Sequence, residues 1–344
     1  MLPAELDELV SELGQPAYRT QQILDWLYVK GAREIAQMSN LSKSLRSLLS
    51  ERTRITSLLE VDRQESATGE AVKFLFELPT GQRVESVLIV DGDRRTVCLS
   101  SQVGCPLDCK FCATGRMGLI ANLQAGQIVD QLLQVSLYAR ERGERVTNVV
   151  MMGMGEPLLN YEQVVRALRL MRLQEGLGLG GRKITVSTAG YVPGIRKLVA
   201  ENLNVGLAIS LNATTDEIRE KLMPINRKYK IADLLEAARN FFDRRGYRVT
   251  FEYVLMAGLT DLDEDALRLA KLIRDTPCKI NLIPYNELEE DGLYRRPSRR
   301  RLDQFYRLLR DSGTEFTVRE SRGRDIDAAC GQLYHQQEKV RTAL

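Results

Sequence analysis

The stretch "SQVGCPLDCKFCATG", residues 101–115, places three cysteines, Cys105, Cys109 and Cys112, within eight residues. A short apolar run precedes it, and a long amphipathic run, "QAGQIVDQLLQVSLYARERG" at 124–143, follows it. This order predicts a strand, a polar loop and a helix, which form the repeating unit of an α/β chain.

The same unit recurs along the chain from about residue 95. Six short apolar, β-branched runs alternate with amphipathic helical stretches: "TVCLSSQV", "TNVVMMGMG", "KITVSTAG", "NVGLAISL", "RVTFEYVLMAG" and "KINLIPYN". The runs are continuously apolar, as is typical of strands covered on both faces of a parallel sheet. A doubly wound sheet and a full or partial βα barrel both fit this pattern.

The regions before and after these repeated units have different sequence patterns. Residues 1 to about 55 have apolar residues at helical spacing, and "AVKFLFELPTG" and "QRVESVLIVDGD" predict a small β-hairpin. After residue 300 a helix, "DQFYRLLRDSG", leads to a strand-like "TEFTVRE" and to "SRGRDIDAACGQL". We therefore predict an N-terminal helical accessory domain with a hairpin at 1–90, a core at 91–325 and a C-terminal segment at 326–344.

Composition excludes little. The 344 residues are 44% hydrophobic and 28% charged, and the net charge of +3 neither requires nor excludes nucleic acid as a partner. No window is apolar enough to cross a bilayer, and "MLPAELDELV" lacks the apolar core of a signal peptide, so we expect a cytoplasmic protein. In that reducing compartment the six cysteines favour metal binding or thiol chemistry over structural disulfides.

Two runs are strongly basic. "YRRPSRRR" at 294–301 contains five arginines, and "REIAQMSNLSKSLRSLLSERTR" at 33–54 has few acidic residues. Such runs are typical of a solvated helix face or of a surface that contacts nucleic-acid phosphates, and the sequence leaves both open.

Polar and glycine-rich residues follow several predicted strands. They include "GMGEP" at 153–157, Ser187, Ser210, Asn212 and Asn286. Because the carboxyl ends of parallel strands meet at one edge, we expect these residues to share a site with the cysteine loop. Glycine allows close approach of a ligand, and the Glu156 carboxylate could hold an ammonium group. Each residue alone could equally serve in a turn or a helix cap.

The spacing Cys-x3-Cys-x2-Cys indicates which kind of metal centre the cysteines could bind. Structural zinc sites usually pair Cys-x2-Cys with a second pair or with histidine, whereas this chain has one histidine, the distant His335. A four-iron cluster has four irons to ligate, so three thiolates leave one iron open to a substrate or cofactor. A zinc site, or a cluster whose fourth thiolate lies elsewhere, remains an alternative.

The loop, with Phe111 before its last cysteine, resembles the signature of the radical S-adenosylmethionine (SAM) superfamily. Further motifs resemble the RlmN/Cfr family of radical-SAM RNA methyltransferases, and more closely its RlmN branch. They are "TVCLSSQVGCPLDCKFCATG", "MGMGEPLLNY", "ITVSTAGYVPGI", "LAISLNATTDEIREKLMPINRKY", "NLIPYNE" and "RGRDIDAACGQL". The resemblance implies an α/β fold: a partial (βα)6 radical-SAM barrel with an N-terminal helical accessory domain, a small β-hairpin and a C-terminal catalytic segment.

The resemblance also implies cofactors and their ligands. One [4Fe–4S] cluster would be held by Cys105, Cys109 and Cys112, and two SAM molecules would be used per turnover. The implied SAM contacts are Gly155, Glu156, Ser187, Ser210, Leu211, Asn212 and Asn286. Asn212 departs from the family pattern, which has histidine after "SL"; asparagine keeps a hydrogen-bonding side chain but loses a titratable one.

The implied reaction is methylation of adenosine C2 in 23S rRNA and tRNA. C2 is electron-poor and cannot attack the methyl group of SAM directly, whereas a carbon radical can add to it. Cys330 would take a methyl group from one SAM, and a radical from the second SAM would remove a hydrogen from it. After the resulting adduct forms with RNA, Cys98 would resolve it through a transient disulfide with Cys330. Glu85 would accept a proton.

Without the resemblance these residues have simpler interpretations. Cys98 and Cys330 would each be a small buried hydrophobic residue, and Glu85 a carboxylate on a strand surface. We predict that Cys278 and Trp26 lie in the core and that His335 lies on the surface.

The resemblance implies partners as well. They are 23S rRNA and tRNA, an electron donor such as flavodoxin and a thiol reductant. From the sequence itself we expect no membrane partner; it is silent on oligomeric state, for which our own expectation is a monomer. The basic N-terminal domain and Arg295, Arg296 and Arg299 are then candidates for phosphate contacts. Two other functions stay open: methylation at C8, as in the Cfr-like branch, and a non-catalytic RNA-binding iron–sulfur protein.

Overall fold

The structure, a computed structural model, describes residues 1–55, 57–174, 176–288 and 292–333. His335 and the end of the predicted C-terminal segment lie outside these residues. The strands are β1 (Leu59–Glu65), β2 (Ala71–Glu77), β3 (Arg83–Asp91), β4 (Arg94–Cys98), β5 (Gln102–Cys105), β6 (Gly118–Asn122), β7 (Asn148–Met151), β8 (Ile184–Thr188), β9 (Gly206–Ser210), β10 (Val249–Leu255), β11 (Cys278–Pro284) and β12 (Phe316–Val318).

The α-helices are α1 (Pro3–Glu12), α2 (Tyr18–Leu24), α3 (Lys43–Arg52), α4 (Ala113–Arg116), α5 (Ala125–Glu141), α6 (Tyr161–Met171), α7 (Val192–Ala200), α8 (Asp216–Leu222), α9 (Ile231–Arg245), α10 (Asp263–Ile273) and α11 (Arg299–Asp311). A single π-helical turn, Asp25–Val29, continues α2. No helix within the described ranges is long and apolar enough to span a bilayer.

One ten-stranded sheet organises the chain, in the order β1-β2-β3-β4-β7-β8-β9-β10-β11-β12. From β1 to β4 the neighbours are antiparallel, and from β4 to β12 they are parallel. Each parallel step crosses over through at least one helix, as βαβ connections require. The six predicted parallel strands are confirmed, and the short β12 extends them.

The parallel strands are buried on both faces. Their central residues, such as Val149, Val186, Ile209 and Phe251, are fully inaccessible to solvent. Helices therefore cover the sheet on the outside, while the inner face surrounds the cavity described below. A sheet with helices on its outer face and a cavity on its inner face has to be curved, as in the predicted partial barrel.

The N-terminal helices pack on the outside of α5 and α6. Arg166 of α6 forms an ion pair with Glu5 of α1 at 2.7 Å, and Asp130 of α5 accepts hydrogen bonds from the amides of Ser57 and Leu58. Trp26 is partly buried against the core, and Lys30 lies over its ring. These contacts join the N-terminal helices to the barrel.

The predicted hairpin forms as β2 and β3, but it is part of a larger structure. β1, which the sequence did not predict, pairs with β2, and β3 pairs with β4, so the hairpin continues the barrel sheet. β4 is thereby hydrogen-bonded on both sides and lies inside the sheet. The domain boundaries at 90 and 325 stay a prediction.

Candidate active site

A cavity of about 170 Å³ opens at the carboxyl ends of the parallel strands. Every strand from β7 to β11 contributes residues to its wall, and so do the cysteine loop and the C-terminal segment. The lining residues predicted from the sequence are Cys105, Cys109, Cys112, Gly155, Glu156, Ser187, Ser210, Asn212, Asn286 and Cys330. The structure thus brings together these predicted residues from six separate stretches of sequence.

The three-cysteine loop is clamped between a ribbon and a short helix. Cys105 ends β5, which pairs with β6, and Cys112 immediately precedes α4. Gly115 of α4 packs so closely on the loop that a Cβ there would lie 2.8 Å from the backbone nitrogen and oxygen of Cys109. Only glycine allows this approach, which orients the thiols toward the cavity.

Burial dominates the electrostatics of these thiols. It raises the pKa of Cys105 to about 12, and it raises the pKa of Cys109 and of Cys112 above the ordinary value. The three thiols line one cavity, and Cys105 and Cys112 both disfavour the ionisation of Cys109. A metal centre bound here would therefore displace protons from the thiols.

The donor set fits an iron–sulfur cluster better than a single ion. Within the part of the chain that the structure describes, no group of three or more His, Cys, Asp and Glu side chains is arranged to hold a metal ion. A four-iron cluster takes each thiolate on a separate iron, so its ligands need not converge on one point. Three exclusively thiol donors around a cavity meet that requirement.

Glu156 is the buried carboxylate of the cavity wall. Its two oxygens accept hydrogen bonds from the amides of Ala189 (2.7 Å) and Leu158 (3.1 Å), and its own amide donates to the Gln102 side chain at 2.8 Å. Burial raises the pKa of Glu156 to about 7, although the amides oppose this shift. A ligand ammonium group would restore the charge balance of this site.

The adjacent Gly155 has φ of +97°. A Cβ at this position would lie 2.5 Å from Cβ of Gln102, so no other residue fits without displacing its neighbours. The Gly-Glu pair predicted as a cofactor contact therefore has the close packing that the prediction requires.

Asn286 carries an unpartnered polar atom. Its Nδ2 donates to the carbonyl of Cys330 at 3.1 Å, while its buried Oδ1 has no hydrogen-bond partner within the described residues. A buried acceptor without a partner costs free energy, which a hydrogen-bond donor of a ligand would recover. This orphaned atom fits a cavity made for a polar cofactor.

Asn212 and Leu211 have structural roles. The Asn212 side chain accepts from the amide of Val254 at 3.0 Å, and its φ of +57° lies in the left-handed region that asparagine tolerates. Leu211 is buried and is not among the residues that line the cavity; its carbonyl accepts from Arg219. The Asn212 amide thus bridges β9 and β10.

A second, smaller cavity of about 30 Å³ adjoins the first and is lined by both Cys98 and Cys330. Cys330 also lines the larger cavity, so it lies between the cluster cysteines and Cys98. The C-terminal segment is held there because the Ala113 amide donates to the carbonyl of Gly331 at 2.8 Å. Burial raises the pKa of Cys98 to about 12, and Cys330 adds to the rise.

Glu85 lies in neither cavity. It is 3% exposed on β3, and one of its carboxylate oxygens is 3.5 Å from Nζ of the equally buried Lys73 on β2. Its strand is next to that of Cys98, which pairs with Val87. Cys278, at the start of β11, is partly buried and lies outside both cavities, in agreement with a packing role.

Two charged residues of the larger cavity were not predicted. Glu252, on β10, is buried and accepts from Asn281 at 2.7 Å; a carboxylate within the apolar run "VTFEYVLM" was a usable signal. Arg319 follows β12, and nothing distinguishes it in sequence from the many other arginines.

A third unpredicted residue lies just behind the cavity wall. Arg219, on α8, is fully buried and donates to the carbonyls of Ala189, Ser210 and Leu211, which end β8 and β9. In the sequence it resembles an ordinary exposed helix residue. It ties the strand ends that carry the site.

The arginine run at 294–301 has mixed environments. Arg296 donates to the Pro284 carbonyl and forms an ion pair with Glu320 at 3.1 Å. The Arg299 side chain is 91% exposed, 3.8 Å from Asp303. Arg299 is therefore the better placed of the two to meet an external phosphate.

Comparison with known proteins identifies the class to which this chain belongs. A family model described as the radical SAM superfamily matches residues 99–270, and one described as a ribosomal RNA large subunit methyltransferase N-terminal domain matches residues 1–55. The crystal structure of a radical SAM methyltransferase from Sphaerobacter thermophilus superposes with a TM-score of 0.95 at 46% identity, over 97% of this chain and 98% of that one. The chain is thus a radical SAM protein, a class whose members use a [4Fe–4S] cluster and SAM.

Curated relatives narrow the class. The chain is 47% identical to the dual-specificity RNA methyltransferase RlmN of Geobacter sulfurreducens, over 96% of this chain and 89% of that protein. It is 43% identical to a probable RlmN of Desulforamulus reducens, over 97% and 95% respectively. The chain belongs to the RlmN family, which confirms the resemblance and the fold predicted from the sequence.

Proposed function

We propose that this chain methylates C2 of adenosine in 23S rRNA and in tRNA, with Cys330 as methyl carrier and Cys98 as resolving thiol. Membership of the RlmN family makes it a SAM-dependent RNA methyltransferase of the radical SAM class. The finer proposal is carried by one observation: Cys330 lines the larger cavity together with Cys105, Cys109 and Cys112, and the smaller cavity together with Cys98.

The cavity residues divide the binding work. Cys105, Cys109 and Cys112 would hold the cluster, and Glu156 would receive the ammonium group of SAM beside the close-packed Gly155. Asn286, with its free Oδ1, would accept a hydrogen bond from SAM. When bound, the cluster and SAM would supply a 5'-deoxyadenosyl radical by one-electron cleavage of the sulfonium, and the cluster would accept the electron that the RNA adduct loses.

Cys330 acts first as a nucleophile. Its thiolate forms a bond to the methyl carbon of one SAM, while the bond from that carbon to the sulfonium breaks and S-adenosylhomocysteine leaves. Loss of one hydrogen atom then turns the S-methyl group of Cys330 into a methylene radical. This radical adds to C2, and the ring regains aromaticity when one electron and the C2 proton leave.

Glu85 is the proposed acceptor of that proton. One of its carboxylate oxygens lies 3.5 Å from Nζ of Lys73, and a carboxylate is a group that can serve as a general base. Since the described side chain lies outside the cavity, the base must reach C2 after RNA has bound.

Cys98 completes the reaction. Its thiolate attacks Sγ of Cys330, the carbon–sulfur bond to the methylene breaks, and the electron pair stays on carbon, which takes a proton to become methyl. The Cys98–Cys330 disulfide is then reduced by an external dithiol. The shared smaller cavity supports this pairing, because both cysteines line it.

The RNA must present its base to this cavity. A stacked adenosine cannot reach Cys330, so the nucleotide has to be turned out of its helix, as other base-modifying enzymes require. Exposed arginines such as Arg299 would contact phosphates and position the strand.

The test is anaerobic reconstitution followed by assay on an rRNA fragment and on tRNA. Nucleoside mass spectrometry with 2- and 8-methyladenosine standards should give 2-methyladenosine only. Cys330→Ala should abolish it, whereas Cys278→Ala, a cysteine outside both cavities, should retain wild-type activity. Product that carries the methyl group at C8, or methylation by Cys330→Ala, would show the proposal to be wrong.

A further inference from the structure

Arg319 occupies the junction of the two cavities. It lines both of them, as Cys330 does. Its backbone amide donates to the Leu282 carbonyl of β11 at 2.9 Å, so the main chain is held by the barrel sheet. Its Nη1 lies 3.7 Å from Sδ of Met152, which directly follows β7.

Three ionisable side chains act on the charge of Arg319: Cys330, Glu252 and Cys98. Cys330 contributes most to raising the pKa of Arg319, followed among the charged neighbours by Glu252 and then by Cys98. Among the described residues no carboxylate oxygen lies within 4.0 Å of the guanidinium nitrogens, in contrast to Arg296 and Arg322, which form ion pairs. A partly buried cation without a close carboxylate beside two thiols is suited to stabilise a thiolate.

Cys98 needs such a cation. It ends β4 between Val87 of β3 and Val150 of β7, so both neighbouring strands oppose it with apolar side chains. Burial raises its pKa to about 12, Cys330 raises it further, and Arg319 is the charged side chain that lowers it. The amide of Met152 also donates a hydrogen bond to this sulfur.

We propose that Arg319 is a positioning residue that stabilises the thiolate of Cys98 for its attack on Sγ of Cys330. The inference rests on the function proposed above and assigns a cause to its last step. Glu252, which accepts a hydrogen bond from Asn281 at 2.7 Å, lines the larger cavity together with Arg319 and supplies a countercharge to it. Guanidinium suits this role because it stays protonated even when buried.

The step balances without a further oxidant. The electron pair of the Cys98 thiolate forms the sulfur–sulfur bond, and the pair of the breaking carbon–sulfur bond stays on the methylene carbon, which is protonated. The sulfur atoms of Cys98 and Cys330 are thereby oxidised to the disulfide, and the methylene carbon is reduced to methyl. A dithiol reductant restores both cysteines.

The test measures how fast the covalent protein–RNA adduct is resolved. Reconstituted Arg319→Met and Arg319→Lys are compared with wild type, with Cys98→Ala and with Arg324→Met, which removes an exposed arginine of the same segment. Adduct is quantified by denaturing gel, and methylation of Cys330 by peptide mass. Circular dichroism confirms that each variant is folded.

We expect Arg319→Met to methylate Cys330 and form adduct, but to resolve the adduct at least tenfold more slowly than wild type. The difference between the resolution rates of wild type and Arg319→Met should decrease as pH rises, because a higher pH generates the Cys98 thiolate without help from a cation. Arg319→Lys should recover part of the wild-type rate. Arg324→Met should match wild type. A merely structural role would not change the pH profile.

Other outcomes separate the two proposals. Resolution by Arg319→Met at the wild-type rate and with the wild-type pH profile would overturn the role of Arg319. A folded Arg319→Met that no longer methylates Cys330 would also overturn it, since the residue would then act at the SAM step. If Cys98→Ala accumulates no adduct while wild type makes 2-methyladenosine, the function proposed for Cys98 fails instead, and the inference fails with it.

Discussion

Replacing Gly155 by alanine should damage both the stability of the chain and its affinity for SAM. The new Cβ would lie 2.5 Å from Cβ and 2.9 Å from the backbone nitrogen of Gln102, well inside the ~3.5–4.0 Å contact distance of carbon atoms. A φ of +97° costs a non-glycine residue about 1–2 kcal/mol, and overpacking adds about 1–3 kcal/mol. We expect the free energy of unfolding to fall by about 2–5 kcal/mol.

The effect should extend to the site through one hydrogen bond. Oε1 of Gln102 accepts from the Glu156 amide at 2.8 Å, and its Nε2 donates to Asn122 at 2.8 Å, so a displaced Gln102 moves Glu156. If half of the lower estimate, about 1 kcal/mol, reaches the carboxylate, SAM should bind roughly fivefold more weakly, since a tenfold change corresponds to about 1.4 kcal/mol.

Urea unfolding and equilibrium dialysis of SAM against reconstituted protein measure the two quantities. The matched control is Gly126→Ala in α5, where the new Cβ meets no atom within 4 Å. That variant should gain about 0.4–1 kcal/mol and keep its affinity for SAM. A Gly155→Ala protein as stable as wild type, with unchanged affinity, would refute the packing argument.

Three further predictions concern charge. Burial raises the pKa of Glu156 from 4.5 to about 7, so between these pH values the folded apoprotein keeps a proton that the unfolded chain releases. The melting temperature should therefore decrease as the pH rises from about 4.5 to 7, and Glu156→Gln should lack this decrease. Asp325 accepts from the Ser66 hydroxyl and the Ala67 amide, both at 2.9 Å, so Asp325→Ala should loosen the Cys330 segment and speed its limited proteolysis, without changing the far-ultraviolet circular dichroism. Arg299→Ala should lower the salt dependence of RNA binding, log Kd against log salt, by about one unit per lost phosphate contact; an unchanged slope would remove Arg299 from the RNA interface.

The regular elements of this chain were largely predictable because their signals are local. Helical spacing located α1, α5 and α10, and continuous apolar runs located the parallel strands. β1 was not predicted from the sequence because its residues, "LEVDRQE", are mostly charged and exposed. It forms because β2 provides a strand edge with which it pairs. Edge strands of this kind depend on their partner rather than on their own pattern.

The site divides in the same way. Residues within a motif, such as Cys105 and Glu156, could be singled out because neighbouring residues identified them. Arg319 and Arg219 could not, since an arginine that lines or supports a site has the same sequence signature as one on the surface. The Glu85–Lys73 ion pair was also unpredictable, because strand register decides which side chains face each other.

The sequence by itself determined the class of chemistry, because its signals are encoded within short stretches. These signals are three cysteines within eight residues, repeated strand–helix units, and glycines beside a carboxylate. Only the tertiary structure decided that Cys98 and Cys330 share a cavity and that Arg319 lies beside them. The physical reason is that spacing along the chain controls local geometry, whereas the approach of distant segments is decided by which surfaces the whole core buries.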